Sequence, residues 1–170
     1  MSRRFRLTLL IAAVGLFTSS LNVAQAAEDT AALAKALQGT TVTLQDGLKA
    51  SERDGKPISA KFEIEHDALQ LSIYTLKGSD FMEVVADPKT GAIAKSEKIT
   101  DADDLKEAAA QKAAMAKATL SLLAATEAAV KANAGFRAVS ITPELKAGHA
   151  VAEVTLLQGT TFKKAPAKLD

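Results

Sequence analysis

Two stretches of this chain repeat one another. Thr75-Leu76-Lys77-Gly78-Ser79-Asp80-Phe81 and Leu156-Leu157-Gln158-Gly159-Thr160-Thr161-Phe162 stand 81 positions apart, with Leu, Gly and Phe in register. Upstream at the same offset, Leu69, Leu71 and Ile73 face Ala150, Ala152 and Val154, and each set alternates with mainly polar neighbours. Further back, Thr41-Val42-Thr43-Leu44 aligns with Thr119-Leu120-Ser121-Leu122 at an offset of 78. The slip of three belongs in loops, which tolerate insertions. Matching order and pattern predict one supersecondary unit made twice.

The first unit reads as a helix followed by strands. Thr43 and Asp46 are spaced as a capping pair, and Leu44 and Leu48 share one helix face. Gly55 and Pro57 stop that helix. Ile58, Ala60, Phe62 and Ile64 then alternate with Ser59, Lys61, Glu63 and Glu65, the period of a strand with one buried face. A turn at His66 and Asp67 leads into a second strand through Leu69, Leu71 and Ile73. Phe81 to Ala86 is a third strand. Asp87-Pro88-Lys89-Thr90-Gly91 closes it as a turn: Asp caps free N–H groups, Pro presets the first turn angle and Gly takes the left-handed position. Ala92 and Ile93 begin a short strand beyond.

The second unit opens on an alanine-rich helical stretch from about Ala102 to Asn133, long enough for two helices or one with a bend, and closed by Gly135. Asp101, Asp103 and Asp104 suit the positive end of its dipole. Strands are expected at Phe136 to Ile141 and His149 to Leu157. After Phe162, the run Lys163-Lys164-Ala165-Pro166-Ala167-Lys168 is expected to leave the third strand as a stub and to trail off as a mobile tail over 163–170.

These residues resemble the PepSY family, in which a helix precedes an antiparallel sheet that ends on a valine-rich strand and an Asp-to-Gly turn. Val84, Val85, Asp87, Thr90, Gly91 and Ile93 are similar to that ending, with Ala86 between the second valine and the aspartate. Leu44, Ala50, Gly55 and the strand from Ile58 are similar to the family's opening. The resemblance covers 41–97 well and 119–162 more loosely, and the second unit lacks the Asp-to-Gly ending. It implies an α+β protein of two PepSY-like units, each a helix packed on an antiparallel sheet of three to four strands. It also implies an extracytoplasmic module without catalysis that binds or restrains a peptidase or another envelope protein.

The N-terminus points the same way. Met-Ser-Arg-Arg-Phe-Arg precedes an apolar run from Leu7 to Phe17, and Ala24-Gln25-Ala26 offers the small residues of a cleavage site. This is the pattern of a secretory signal peptide cut after Ala26, with the general export route favoured because Phe5 directly follows the arginine pair. The run falls short of the roughly 20 apolar residues that span a bilayer. The expected organisation is therefore signal 1–26, a helical segment 27–40, a first unit 41–99, a helical linker 100–117, a second, shortened unit 118–162 and the tail, in the periplasm and with no transmembrane segment in the mature chain.

Composition narrows the chemistry. Of 21 basic residues, the signal segment removes Arg3, Arg4 and Arg6 and leaves all 20 acidic ones, so the mature chain is slightly acidic. Nucleic acid, which asks for a clustered basic face, is not an expected partner. With no cysteine there is no thiol nucleophile, disulfide framework or thioether-bound cofactor. The two histidines, His66 and His149, fall near equivalent turns, and a metal site would need them brought together with a further ligand. Zinc-protease helix, serine-elbow and phosphate-loop motifs are absent, and the aspartates near 101 lack the spacing and central glycine of a calcium loop. Accordingly no catalytic, metal or cofactor residue is assigned. Asp87, Thr90 and Gly91 are assigned to a structural turn. Tyr74 and Leu76, on the strand face opposite Leu71 and Ile73, are either an exposed binding face or covered by the neighbouring unit. The leading expectation is a binding protein for a peptide or envelope protein, in which an extended segment adds to a strand edge or sheet face. A carrier of a small molecule or metal ion, accessory to a membrane partner, is the alternative. Oligomeric state, including whether the shortened unit borrows a strand from another chain, is left open.

Overall fold

The computed structural model describes residues 20–170, with side chains from residue 29 onward. Most of the expected signal segment lies outside the described residues. Helix α1 (Ser20–Leu37) runs through the expected cleavage position. Among the described residues no helix is long and apolar enough to cross a membrane.

The class is α+β, with one sheet instead of two. Seven antiparallel strands, β1 (Lys56–Glu65), β2 (Ala68–Lys77), β3 (Asp80–Ala86), β4 (Ile93–Lys98), β5 (Arg137–Lys146), β6 (His149–Gln158) and β7 (Thr161–Lys168), are ordered β4-β3-β2-β1-β5-β6-β7. The two expected small sheets fuse where β1 pairs with β5, through Ala60 with Ile141 and Lys61 with Ser140. Separate units would each leave the first strand as an open edge with unpaired backbone groups, and their pairing removes both edges. Side-chain alternation does not report that pairing, because it marks which face is buried and says nothing of the neighbouring strand.

The recurrence at 81 positions is also one of geometry. Lys56 and Arg137, Ala68 and His149, and Asp80 and Thr161 open corresponding strands. A bulge between Pro57 and Ser59 has its counterpart between Ala138 and Ser140. The first hairpin turns through His66 and Asp67 and the second through Ala147 and Gly148, all at positive φ.

The tail is corrected as well. Residues 161–168 form a complete strand paired with β6 from Gln158 to Val151, and Leu169 beyond it is fully buried. Lysines mask the signal: half-buried Ala165 and Ala167 and buried Leu169 alternate along one face, while Lys164, Pro166 and Lys168 point the other way.

Helices cover both faces of the sheet. Helix α2 (Leu44–Ser51) starts on a capping box in which Thr43 Oγ1 accepts from Asp46 N–H and Asp46 Oδ2 accepts from Thr43 N–H at 2.8 Å. Its buried Leu44, Gly47 and Leu48 lie on the Leu71 and Ile73 face, where a Cβ on Gly47 would stand 2.5 Å from Leu71 Cδ2. The alanine-rich stretch is two helices, α3 (Ala102–Met115) and α4 (Leu122–Ala132). Asp101 caps the first and Ser121 the second. The break between them is held because Thr119 and Leu120 N–H both donate to the Leu169 carbonyl, at 2.6 and 2.9 Å. Helix α3 crosses the opposite face, over Tyr74, and α4 packs beside α2.

Candidate binding cleft

Leu48 on α2, Pro57 on β1, Met115 at the end of α3, and Leu122 and Leu123 on α4 converge on a partly open cleft of about 400 Å³. Each wall has a local cause. Gly55, at φ 136°, joins the 3-10 turn Glu52–Asp54 to β1, where a Cβ would meet the Leu76 carbonyl oxygen at 2.8 Å, so only glycine lets the chain turn there. The bulge at Pro57–Ser59 twists the start of β1 away from the regular ladder. Ser121, the cap of α4, stands on the rim with Glu52 and Lys56. The floor is apolar and the rim carries one carboxylate, one ammonium and one hydroxyl. Such a lining suits an apolar group held by packing, with polar groups at the mouth to orient it.

The cleft was not legible in the sequence. Leu44 and Leu48 are readable as a helix face, but Pro57, Met115 and Leu122 come from separate elements with no common periodicity. Only the packing of α4 beside α2 brings them together.

The Asp87 turn forms as its residues predict. Asp87 Oδ1 accepts from Lys89 N–H, Thr90 N–H and Thr90 Oγ1, at 3.0, 2.7 and 2.9 Å, and Gly91 takes φ 74°. These donors hold the Asp87 carboxyl below the usual carboxylate range. The turn docks on the segment entering α2, where Thr40 Oγ1 donates to the Pro88 carbonyl.

Tyr74 and Leu76 are not an exposed binding face. Tyr74 is 1% exposed, Leu76 is half-buried, and the cover is α3, which the sequence reading assigns to a linker. Tyr74 donates to the Asp104 carboxyl. Burial, with the charges of Asp104 and Glu83 nearby, pushes the phenol well above its ordinary range. Burial raises Asp104 to about 6, against the opposing effect of the Tyr74 bond. Of the three aspartates at the start of α3, then, Asp101 does the capping and Asp104 turns inward. Buried Asp104 Oδ1, Glu107 Oε2 and Gln111 Oε1 lack hydrogen-bond partners, and burial also raises Glu107.

The histidines stay apart. β1 and β5 run antiparallel, so the β1–β2 and β5–β6 turns lie at opposite ends of the sheet. His66 stands 3.4 Å from Glu65, and His149 Nδ1 lies 2.9 Å from Asp170 Oδ2. Among the described residues no group of three or more His, Cys, Asp or Glu could hold a metal ion.

No protein-family model matches this chain. A search of curated proteins also finds no match. Among solved structures, a candidate lipoprotein from Clostridium difficile 630 aligns over 72% of this chain and 81% of its own, at 14% identity and a TM-score of 0.38. A likeness of that size establishes neither a shared fold nor a shared role.

Proposed function

We propose that the protein is an exported binding module of PepSY-like character, cut after Ala26, that acts in the periplasm without catalysis by restraining a peptidase or another envelope protein. The cleft between α2, β1 and α4 carries this reading. Its apolar floor of Leu48, Met115 and Leu122 receives one bulky apolar side chain of the partner, and Glu52, Lys56 and Ser121 orient the backbone around it. Buried apolar anchors of this kind dominate the energetics of protein recognition.

A photo-crosslinking side chain at Leu123, half-buried on the cleft wall, tests it against the same group at exposed Ala128 elsewhere on α4. Capture of an envelope protein or peptide from position 123 and not from 128 is the expected result. Equal capture from both positions, or capture from neither, removes the cleft as a partner site.

The cleft's volume favours a second reading, since about 400 Å³ lies within the range of small-ligand pockets. In that reading the protein carries a small apolar molecule to a membrane partner. A rise in melting temperature with an apolar ligand, abolished by Leu123→Glu, separates it from the first.

A further inference from the structure

The two edges of the sheet are not equivalent. In an antiparallel ladder, residues whose backbone groups bond the neighbour alternate with residues whose groups point away. On β7, Leu169 N–H donates to the Ala150 carbonyl, so 167, 165 and 163 face β6 and Phe162, Lys164, Pro166 and Lys168 face outward. Pro166 has no N–H, and it interrupts the outer edge near its middle. On β4, Ile99 N–H donates to the Phe81 carbonyl, so Glu97 and Lys95 face β3 while Ser96 and Lys98 face outward with their donors and acceptors intact. Ser96 is exposed and β4 contains no proline.

The side chains of β4 select a partner for that edge. Lys95 and Glu97 form an ion pair along one face of the strand. Glu97 also lies directly across from Glu83 of β3, with Lys95 paired to it along the strand. A second β4 laid antiparallel about a two-fold axis at Ser96 sets Ser96 opposite its own copy, Lys95 opposite the copy's Glu97 and Glu97 opposite the copy's Lys95. Centring the axis on Lys95 or on Glu97 would instead set like charges opposite one another, and centring it on Ala94 would face Lys95 with Ile93 and Glu97 with Gly91, so the Ser96 register is the one that pairs opposite charges across the axis.

We propose that β4 is a self-recognition edge, and that two copies of this chain join through it in the Ser96-centred register to form a continuous fourteen-stranded sheet, twice the seven strands of one copy. Such an isologous contact closes on itself and leaves the Pro166 edges outermost, where they resist further addition. The pairing is independent of the cleft.

Sedimentation equilibrium of the purified exported chain over a wide concentration range is the test. The expected result is a monomer–dimer equilibrium that weakens with added salt. Ser96→Pro, which removes the outward N–H, abolishes the dimer, whereas Ser96→Ala, which removes only the hydroxyl that bonds the Asp54 carboxyl within one copy, preserves it. Lys95→Glu raises the dimer dissociation constant about tenfold or more, since it opposes like charges twice across the axis, and Lys95→Glu with Glu97→Lys restores association. A monomer at every concentration, with or without extended peptides bound at the edge, overturns the proposal. So does a dimer indifferent to Ser96→Pro, or a double reversal that fails to rescue.

Discussion

The phenol of Tyr74 donates a hydrogen bond to the carboxyl of Asp104, joining β2 to α3 away from water. An acid held at about 6 in the fold, against 3.8 when unfolded, binds its proton more tightly in the native state. The native state therefore gains stability from this group as the pH falls from about 6 towards 3.8, and all of that gain is absent above the folded value. Urea titrations at pH 7 and pH 5 are expected to show the higher stability at pH 5. Asp104→Asn should flatten the difference, and parallel profiles for the two proteins would show that Asp104 is not the group responsible.

Asp87 has the opposite sign. Its carboxyl is held down by Thr90 and Lys89, so its contribution is present above the ordinary carboxylate range and is lost as the pH falls through the lowered value. Asp87→Asn should make acid unfolding less steep, with the largest local change at the Thr40 to Val42 segment on which the turn docks. Amide exchange resolves that segment.

Arg137 donates from Nη1 to the carbonyls of Leu37 and Thr40, at 3.1 and 2.9 Å, and from Nη2 to Val42 at 2.6 Å, with its guanidinium 5.5 Å from the Phe62 ring. One side chain of β5 thereby ties down the end of α1 and the approach to α2. Arg137→Ala is expected to cost on the order of 3 kcal/mol, because three carbonyls lose a charged donor. Arg137→Lys should recover less than half, since an ammonium cannot reproduce the fork. Chemical denaturation measures both.

At Gly47 the usual helix rule inverts. Glycine to alanine in an open helix gains about 1 kcal/mol. Here the new methyl would sit 2.5 Å from Leu71 Cδ2 and 3.0 Å from Leu71 Cγ, and Leu71 is fully buried. Gly47→Ala is expected to destabilise by about 1–3 kcal/mol through overpacking. A melting temperature above that of the unmodified chain would mean that α2 does not press on β2 as described.

Leu169 distinguishes an anchored end from a mobile one. It is fully buried, its N–H donates to Ala150, and its carbonyl receives the loop between α3 and α4. Leu169→Ala should cost about 3 kcal/mol, as a core leucine does. An unstructured tail would leave stability unchanged.

The features legible in the chain alone are local. Thr43 and Asp46, three apart, suffice for a capping box; Asp87, Thr90 and Gly91 suffice for their turn; and alternation along Ile58 to Glu65 suffices for a strand. In each case the interacting groups are neighbours in the chain, so spacing alone dictates the geometry. Everything that depends on which distant groups meet came from packing. It merged two expected sheets through Ala60 and Ile141, because backbone pairing removes open edges whatever the side chains are. It laid the Ala102–Met115 helix over Tyr74, whose place in the strand is evident from spacing while its cover is not. It gave the lysine-rich end a strand, since the small residues Ala165 and Ala167 gain value only when β6 and a core lie beside them. The cleft follows the same logic, for Leu48, Pro57, Met115 and Leu122 become one surface only after α2, β1, α3 and α4 have packed.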